Sequence, residues 1–182
     1  MLSLYKAFVR PHLEYAQSVW SPMRQGLINK LENVQMRALN LIPGFKGLTY
    51  EEQLRRTKLP TLAYRRLRGD LIEVYKHFNV YDPDVLSDSF KINPRKPDKL
   101  IQGHSTSPLY EKLFYHRTQQ LWNNLPENCR NRGISLNVFK NNIDKHWTGE
   151  ELPLLYNHKA GLPTGINMIE PPLNSLQRHR VG

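Results

Sequence analysis

Six cations fall within fourteen residues: Arg55, Arg56 and Lys58, then Arg65, Arg66 and Arg68. They flank a short turn, Leu59-Pro60-Thr61, between two helical patterns. Guanidinium and ammonium groups at a helix–helix corner suit contact with phosphates, where they displace condensed counterions. The same spacing fits a solvated basic corner whose cations pair locally. Overall charge bears on the choice. The net charge is +10, from 26 Lys/Arg against 16 Asp/Glu, and residues 1–80 carry 13 of those cations against 6 carboxylates. The excess lies on the part with the clearest helical patterning. That favours a polyanionic partner such as nucleic acid over a floppy basic arm.

Covalent and metal chemistry find less support. Two-metal phosphoryl chemistry needs neighbouring carboxylates that hold cations about 4 Å apart. This chain has no adjacent aspartate pair; Glu51-Glu52 opens a helix and Glu150-Glu151 lies in the tail. Cys129 is the single cysteine, beside Arg130 and Arg132. Those arginines would favour a thiolate, yet no histidine is spaced to form a dyad with it, and it reads as structural or incidental. An internal disulfide is impossible, so the chain suits a reducing, intracellular compartment, nucleus or cytoplasm alike. The seven histidines form no HxxxH, HExxH or Cys–His cluster, and no glycine-rich phosphate loop occurs. The expectation is therefore no catalytic residue, no metal and no cofactor. No apolar run of 18 residues exists, and Lys6 and Arg10 interrupt the opening stretch. Neither a membrane span nor a signal sequence is expected.

Helices must position these groups. Tyr5, Val9, Leu13, Ala16 and Trp20 recur at helical spacing with Pro11 among them, which predicts a kinked helix or two short helices meeting at Arg10–Pro11. The chain opens directly into this core element, as an internal piece of a longer protein would. A second helix is predicted over about 27–42, burying Leu27 or Ile28, Leu31, Val34, Ala38 and Leu41 or Ile42, and stopping at Pro43-Gly44. Thr49 and Glu52 have capping-box spacing, and Thr61 is placed to cap a long helix over 62–79. There Leu67, Leu71, Val74, Tyr75 and Phe78 read as core, the arginines and Asp70 as wet, and Arg66 and Asp70 as an i,i+4 pair. Gly69 inside it weakens the helix unless something packs closely there. Proline dipeptides fill 81–109, a long loop in which 90–92 and 100–101 are able to pair as short strands. Helices resume over about 110–124 and from Ser135 to Trp147, the latter burying Leu136, Val138 or Phe139, Ile143 and Trp147. Residues 148–182 read as an extended or disordered tail. The fold class is mostly α: five or six helices, one long irregular loop and an extended C-terminal tail.

The stretches YKAFVRPHLEYAQSVWSP, IPGFKGLTYEEQLRRTKLPTLAYRRLRGDLIEVYK, FYHRTQQLWNNLPE and SLNVFKNNIDKHW closely resemble the C-terminal part of the reverse transcriptase of LINE-type non-LTR retrotransposons, the jockey and CR1-like branches above all. The resemblance covers residues 2 to about 147. It rests on an ordered motif series: Arg10-Pro11-x-Leu13-Glu14-Tyr15, Leu59-Pro60-x-Leu62, Arg68-Gly69-Asp70 and Leu121-Trp122-Asn123-x-Leu125-Pro126. In that family the catalytic aspartates lie in a palm motif, Tyr/Phe-x-Asp-Asp, upstream of the matched region, and an endonuclease usually precedes it. The resemblance implies a thumb-like helical region at 1–80, with 110–147 a further helical part of the same unit, and neither palm nor endonuclease. It implies that Arg55, Arg56, Lys58, Arg65, Arg66 and Arg68 lie beside an RNA–DNA hybrid or duplex backbone, although Arg10 and Arg68 suit structural roles equally. The alternative is a non-enzymatic protein-interaction module that self-associates through a bare apolar face around Leu4, Phe8 and Val19. A helix-turn-helix reading of 49–79 is weaker, because its turn carries a proline and its second helix opens without an obvious base-reading set.

Overall fold

In a computed structural model of the chain, the described residues are 1–79, 90–101, 114–131, 133–149 and 153–160. They are mostly helical, with one two-stranded antiparallel ribbon. The opening helix is made of three contiguous pieces: α1 (Leu2–Leu4), a π-helical segment (Tyr5–Val9) and α2 (Arg10–Glu14). Of the two expected forms, a pair of short helices meeting at Arg10–Pro11 is not found: the helix runs on through both residues. Pro11 has no N–H to donate to the Ala7 carbonyl; the wide π turn just before it loosens the ladder there, and Arg10 keeps helical angles (φ −58°, ψ −40°). The helix instead ends at Tyr15, and Ala16 takes a left-handed conformation (φ 50°) before α3 (Gln17–Trp20).

Next come α4 (Gln25–Asn40), α5 (Tyr50–Thr57) and α6 (Leu62–Asn79). The capping box at α5 is present: Thr49 Oγ1 accepts from the Glu52 N–H, and Glu52 accepts from the Thr49 N–H at 2.8 Å. Those bonds hold the Glu52 carboxyl below its ordinary range.

α4 departs from the expected burial. Its core face is Ile28, Glu32, Gln35 and Leu39; of the expected stripe, Ile28 is buried and Ala38 and Ile42 pack against Tyr5, Leu39, Leu54 and Leu59, whereas Val34 and the alternatives Leu27 and Leu41 are exposed. Two polar residues outcompete leucines for the interior because each satisfies several buried groups. Glu32, 1% exposed, accepts from the backbone N–H of Leu62 (3.1 Å) and Ala63 (2.7 Å) and from the Tyr50 hydroxyl (2.7 Å). It is thus an anionic cap on the first turn of α6, supplied from another helix. Gln35 accepts from the Tyr5 hydroxyl at 2.5 Å and donates to Tyr50 and to the Pro60 carbonyl. Burial raises both tyrosine hydroxyls far above the phenol range, with Glu14 and Glu32 adding to it at Tyr5 and Glu32 at Tyr50, so both stay neutral donors. Thr61 also caps α6, accepting from the Tyr64 N–H at 3.0 Å.

Of the segments able to pair, 90–92 and 100–101, Ile92 does lie opposite Leu100, but the strands sit nearer the turn than expected: β1 (Ile92–Asn93) and β2 (Lys96–Leu100) are antiparallel. Then follow α7 (Phe114–Asn123), α8 (Glu127–Arg130) and α9 (Leu136–Gly149). The Asn123 amide bonds both the N–H and the carbonyl of Leu100, at 2.9 Å each, and the Trp122 indole donates to the Asp98 carbonyl. These bonds fasten the ribbon to α7. The larger core unites α6, the ribbon, α7 and α9: Leu71, Val74, Tyr75, Leu100, Trp122, Phe139, Ile143 and Trp147 are all buried. Tyr75 stacks on Phe139 at 4.4 Å. Val138 is exposed, so Phe139 fills the position left open between them. A smaller core gathers Tyr5, Leu39, Leu54 and Leu59.

The tail expectation needs correction over 153–160. Pro153–Leu155 forms a 3₁₀ turn, Leu154 is buried, and Thr61 donates to its carbonyl (2.6 Å) and to that of Leu155 (2.9 Å). Helical periodicity does not detect such a strap, because a hydroxyl bond and a backbone bond from Thr61 and one buried leucine anchor it. The remainder of 150–182, and the stretches 80–89 and 102–113 of the expected loop and helix, lie outside the described residues.

Gly69 has a close neighbour after all. A Cβ there would lie 1.7 Å from the Gln17 side-chain nitrogen, which donates to the Arg66 carbonyl at 3.2 Å. Gly69→Ala should therefore lack the roughly 1 kcal/mol that alanine normally adds inside a helix. The gain should appear only when Gln17→Ala is made as well. Urea unfolding of the two single variants and the double variant measures this coupling, and additive effects would show that the contact is immaterial.

Candidate nucleic-acid interface

The six cations do not form one surface. α6 is enclosed by α3, α4, α7 and α9, so even its polar faces are covered. Arg66 is 3% exposed, and both terminal guanidinium nitrogens lack a hydrogen-bond partner among the described residues. Burial lowers its pKa, while the nearby charges of Glu32, Asp70 and Glu14 pull the other way. It does not pair with Asp70 by hydrogen bond. Asp70 instead accepts from Arg117 of α7 at 3.0 and 3.2 Å, and Arg117 also donates to the Ser18 carbonyl at 2.7 Å. The expectation of a wet Arg66–Asp70 pair is corrected: both side chains are interior.

Arg65 and Arg68 are half-buried and each grips one carboxylate with both fork nitrogens. Arg65 holds Glu14 of α2, and Arg68 holds Asp144 of α9 at 2.6 and 2.8 Å. The Asp144 bonds raise the Arg68 pKa. The two pairs lie in a groove of about 700 Å³ between the 14–18 turn and α6, which Lys76 and Glu73 line as well. Lys76 bonds Glu73 at 3.1 Å. Three cations and three carboxylates line this groove, so it carries no net charge to attract a polyanion.

The other three remain outward. Arg55 is bonded to Glu51 across one helical turn (2.9 Å), yet its side chain stays 60% exposed. Its guanidinium lies 4.5 Å over the Tyr156 ring. Arg56 and Lys58 are exposed and form no ion pair among the described residues. Lys58 adopts a left-handed conformation (φ 52°) that ends α5 and turns the chain toward α6. Tyr156 and His158 reach α5 through the 153–160 strap, the His158 ring lying 5.7 Å from Tyr50. Neither is found by sequence reasoning, since both lie in the stretch expected to be a tail.

Among the described residues no group of three or more His, Cys, Asp or Glu is arranged to hold a metal. Cys129 is buried, and burial, only partly opposed by Arg130, pushes its thiol pKa up, the reverse of an activated nucleophile. No described helix is long and apolar enough to cross a membrane. No family model, curated protein or solved structure matches this chain.

Proposed function

We propose that this chain is a non-catalytic nucleic-acid-binding module, the thumb-side region of a LINE-type reverse transcriptase. The carrying observation is the exposed trio Arg55, Arg56 and Lys58 at the end of α5, in a protein of net charge +10. The partner is the phosphate backbone of an RNA–DNA hybrid or duplex, contacted without base readout. The motifs behind the family resemblance fall on joints of the fold. Glu14 receives Arg65, the Pro60 carbonyl receives Gln35, Asp70 receives Arg117, and Asn123 holds the ribbon. They support a shared scaffold, while contact is assigned to α5.

Fluorescence anisotropy with a hybrid, a DNA duplex and single strands across a salt series tests this. Affinity should fall steeply with salt and depend little on sequence. Arg56→Glu/Lys58→Glu should weaken binding about tenfold or more, with an unchanged melting curve, because both side chains are free. Equal affinity in that variant would refute the assignment to α5. Primer extension by the purified chain would overturn the non-catalytic part.

A second reading, a protein-interaction module, rests on the exposed apolar residues of the first twenty positions. Leu4 is 55%, Phe8 67% and Val19 82% exposed, more than solitary surface apolar residues require.

A further inference from the structure

α4 buries Glu32 and Gln35 and turns its leucine stripe outward. The network of Tyr5, Tyr50, Pro60 and the α6 N-terminus locks that rotation. The stripe is Leu27, Leu31, Val34, Ala38 and Leu41, with steps of four, three, four and three residues. This is the a/d seam of a coiled coil. Leu27, Val34 and Leu41, the d positions, are exposed at 47%, 37% and 63%; at the a positions Leu31 is half-buried and Ala38 packs partly against the smaller core. Along the outer edge, at the two g positions, stand Lys30 and Arg37, both exposed and without an ion pair among the described residues. The one acidic residue of α4, Glu32, is interior, so the outward face carries positive charge only.

We propose that this face of α4 docks an amphipathic helix of another protein, one with leucine-like a/d residues and acidic flanks. The charge selects the occupant. A second copy of this chain in antiparallel register would set Lys30 and Arg37 against each other. In parallel register they would face Gln35 and Ile42, which are committed to the copy's own core. Neither gives an opposite charge, whereas glutamates on a partner helix meet both cations. The length suits two heptads, since 16 residues span about 24 Å. This surface is separate from the α5 cations, so the two proposals stand or fall apart.

The test uses the full chain and two synthetic four-heptad peptides with leucine at a and d, one with glutamate and one with lysine at e and g. Anisotropy should show binding of the glutamate peptide and at least tenfold weaker binding of the lysine peptide. Val34→Asp/Leu41→Asp should abolish binding, and Lys30→Glu/Arg37→Glu should reverse the preference. All four residues point outward, so circular dichroism should be unchanged. Equal binding of both peptides, or binding that survives Val34→Asp/Leu41→Asp, would overturn the proposal. Concentration-dependent dimerisation lost in that variant would assign the face to a second copy, and sedimentation with anionic vesicles lost in it would assign it to lipid; either also overturns it.

Discussion

Glu32→Ala should destabilise the protein by about 3–5 kcal/mol, the scale for removing one member of a buried charge cluster. Three donors would lose their acceptor at once: the Leu62 and Ala63 N–H groups and the Tyr50 hydroxyl. Each buried polar group left unpaired costs about 1–3 kcal/mol. The N-terminus of α6 would also lose the anion facing its partial positive charge. Arg66 would lose one of the carboxylates that offset its burial. Because α6 lies at the centre of the larger core, the loss should appear in global unfolding rather than local fraying. A guanidinium chloride titration of wild type, Glu32→Ala and Glu32→Gln measures it. Glu32→Gln keeps the shape and one acceptor oxygen and should lose distinctly less. A Glu32→Ala midpoint within error of wild type would contradict the account.

Arg117→Met should cost a similar 3–5 kcal/mol near neutral pH, since it leaves a carboxylate buried without its partner. Arg117 and Asp70 are each 6% exposed in their side chains, and the same guanidinium holds the Ser18 carbonyl of α3. The effect should depend on pH. Burial already raises the Asp70 pKa, and the Glu73 charge adds to it; the bonds and charge of Arg117, then the charge of Arg66, oppose this. Removing Arg117 leaves burial less opposed, so the folded-state pKa rises further above the unfolded value. A carboxyl with a raised folded pKa favours folding below its unfolded pKa and loses that contribution as pH rises through the folded value. The deficit of Arg117→Met against wild type should thus be smallest near about pH 4 and grow toward about pH 8. Urea unfolding at both pH values decides it, and a deficit independent of pH would mean that Asp70 finds another partner, Arg66 being the nearest.

The limits of reading this chain without its fold show in particular residues. The capping box at Thr49, the cap at Thr61, the α6 core positions and the Ile92–Leu100 pairing were legible. Each depends on neighbours in sequence or on an apolar periodicity, which on α6 marks Leu71, Val74 and Tyr75 but not the buried Arg66 and Asp70. On α4 the expected Ile28, Ala38 and Ile42 do pack inward, but Glu32 and Gln35 were not foreseen, because hydrophobicity ranks Val34 and the alternatives Leu27 and Leu41 above them. A carboxylate belongs inside only where a second helix offers bare N–H groups, and no local pattern announces that meeting. The 153–160 strap was missed for a related reason, since Thr61 captures it across more than ninety residues.

The basic corner at 55–68 divides along the same line. The sequence alone determined that six cations lie on two helices meeting at Pro60, because local spacing and turn chemistry place them there. Only the tertiary structure decided which of them face water. Glu14 and Asp144 arrive from distant helices to neutralise Arg65 and Arg68, and the packing around α6 encloses Arg66. Arg55, Arg56 and Lys58 stay outward because α5 is short and buries only Gln53 and Leu54. Whether a charge is available to a partner depends on what packs against it, and that is a property of contacts between residues far apart in the chain.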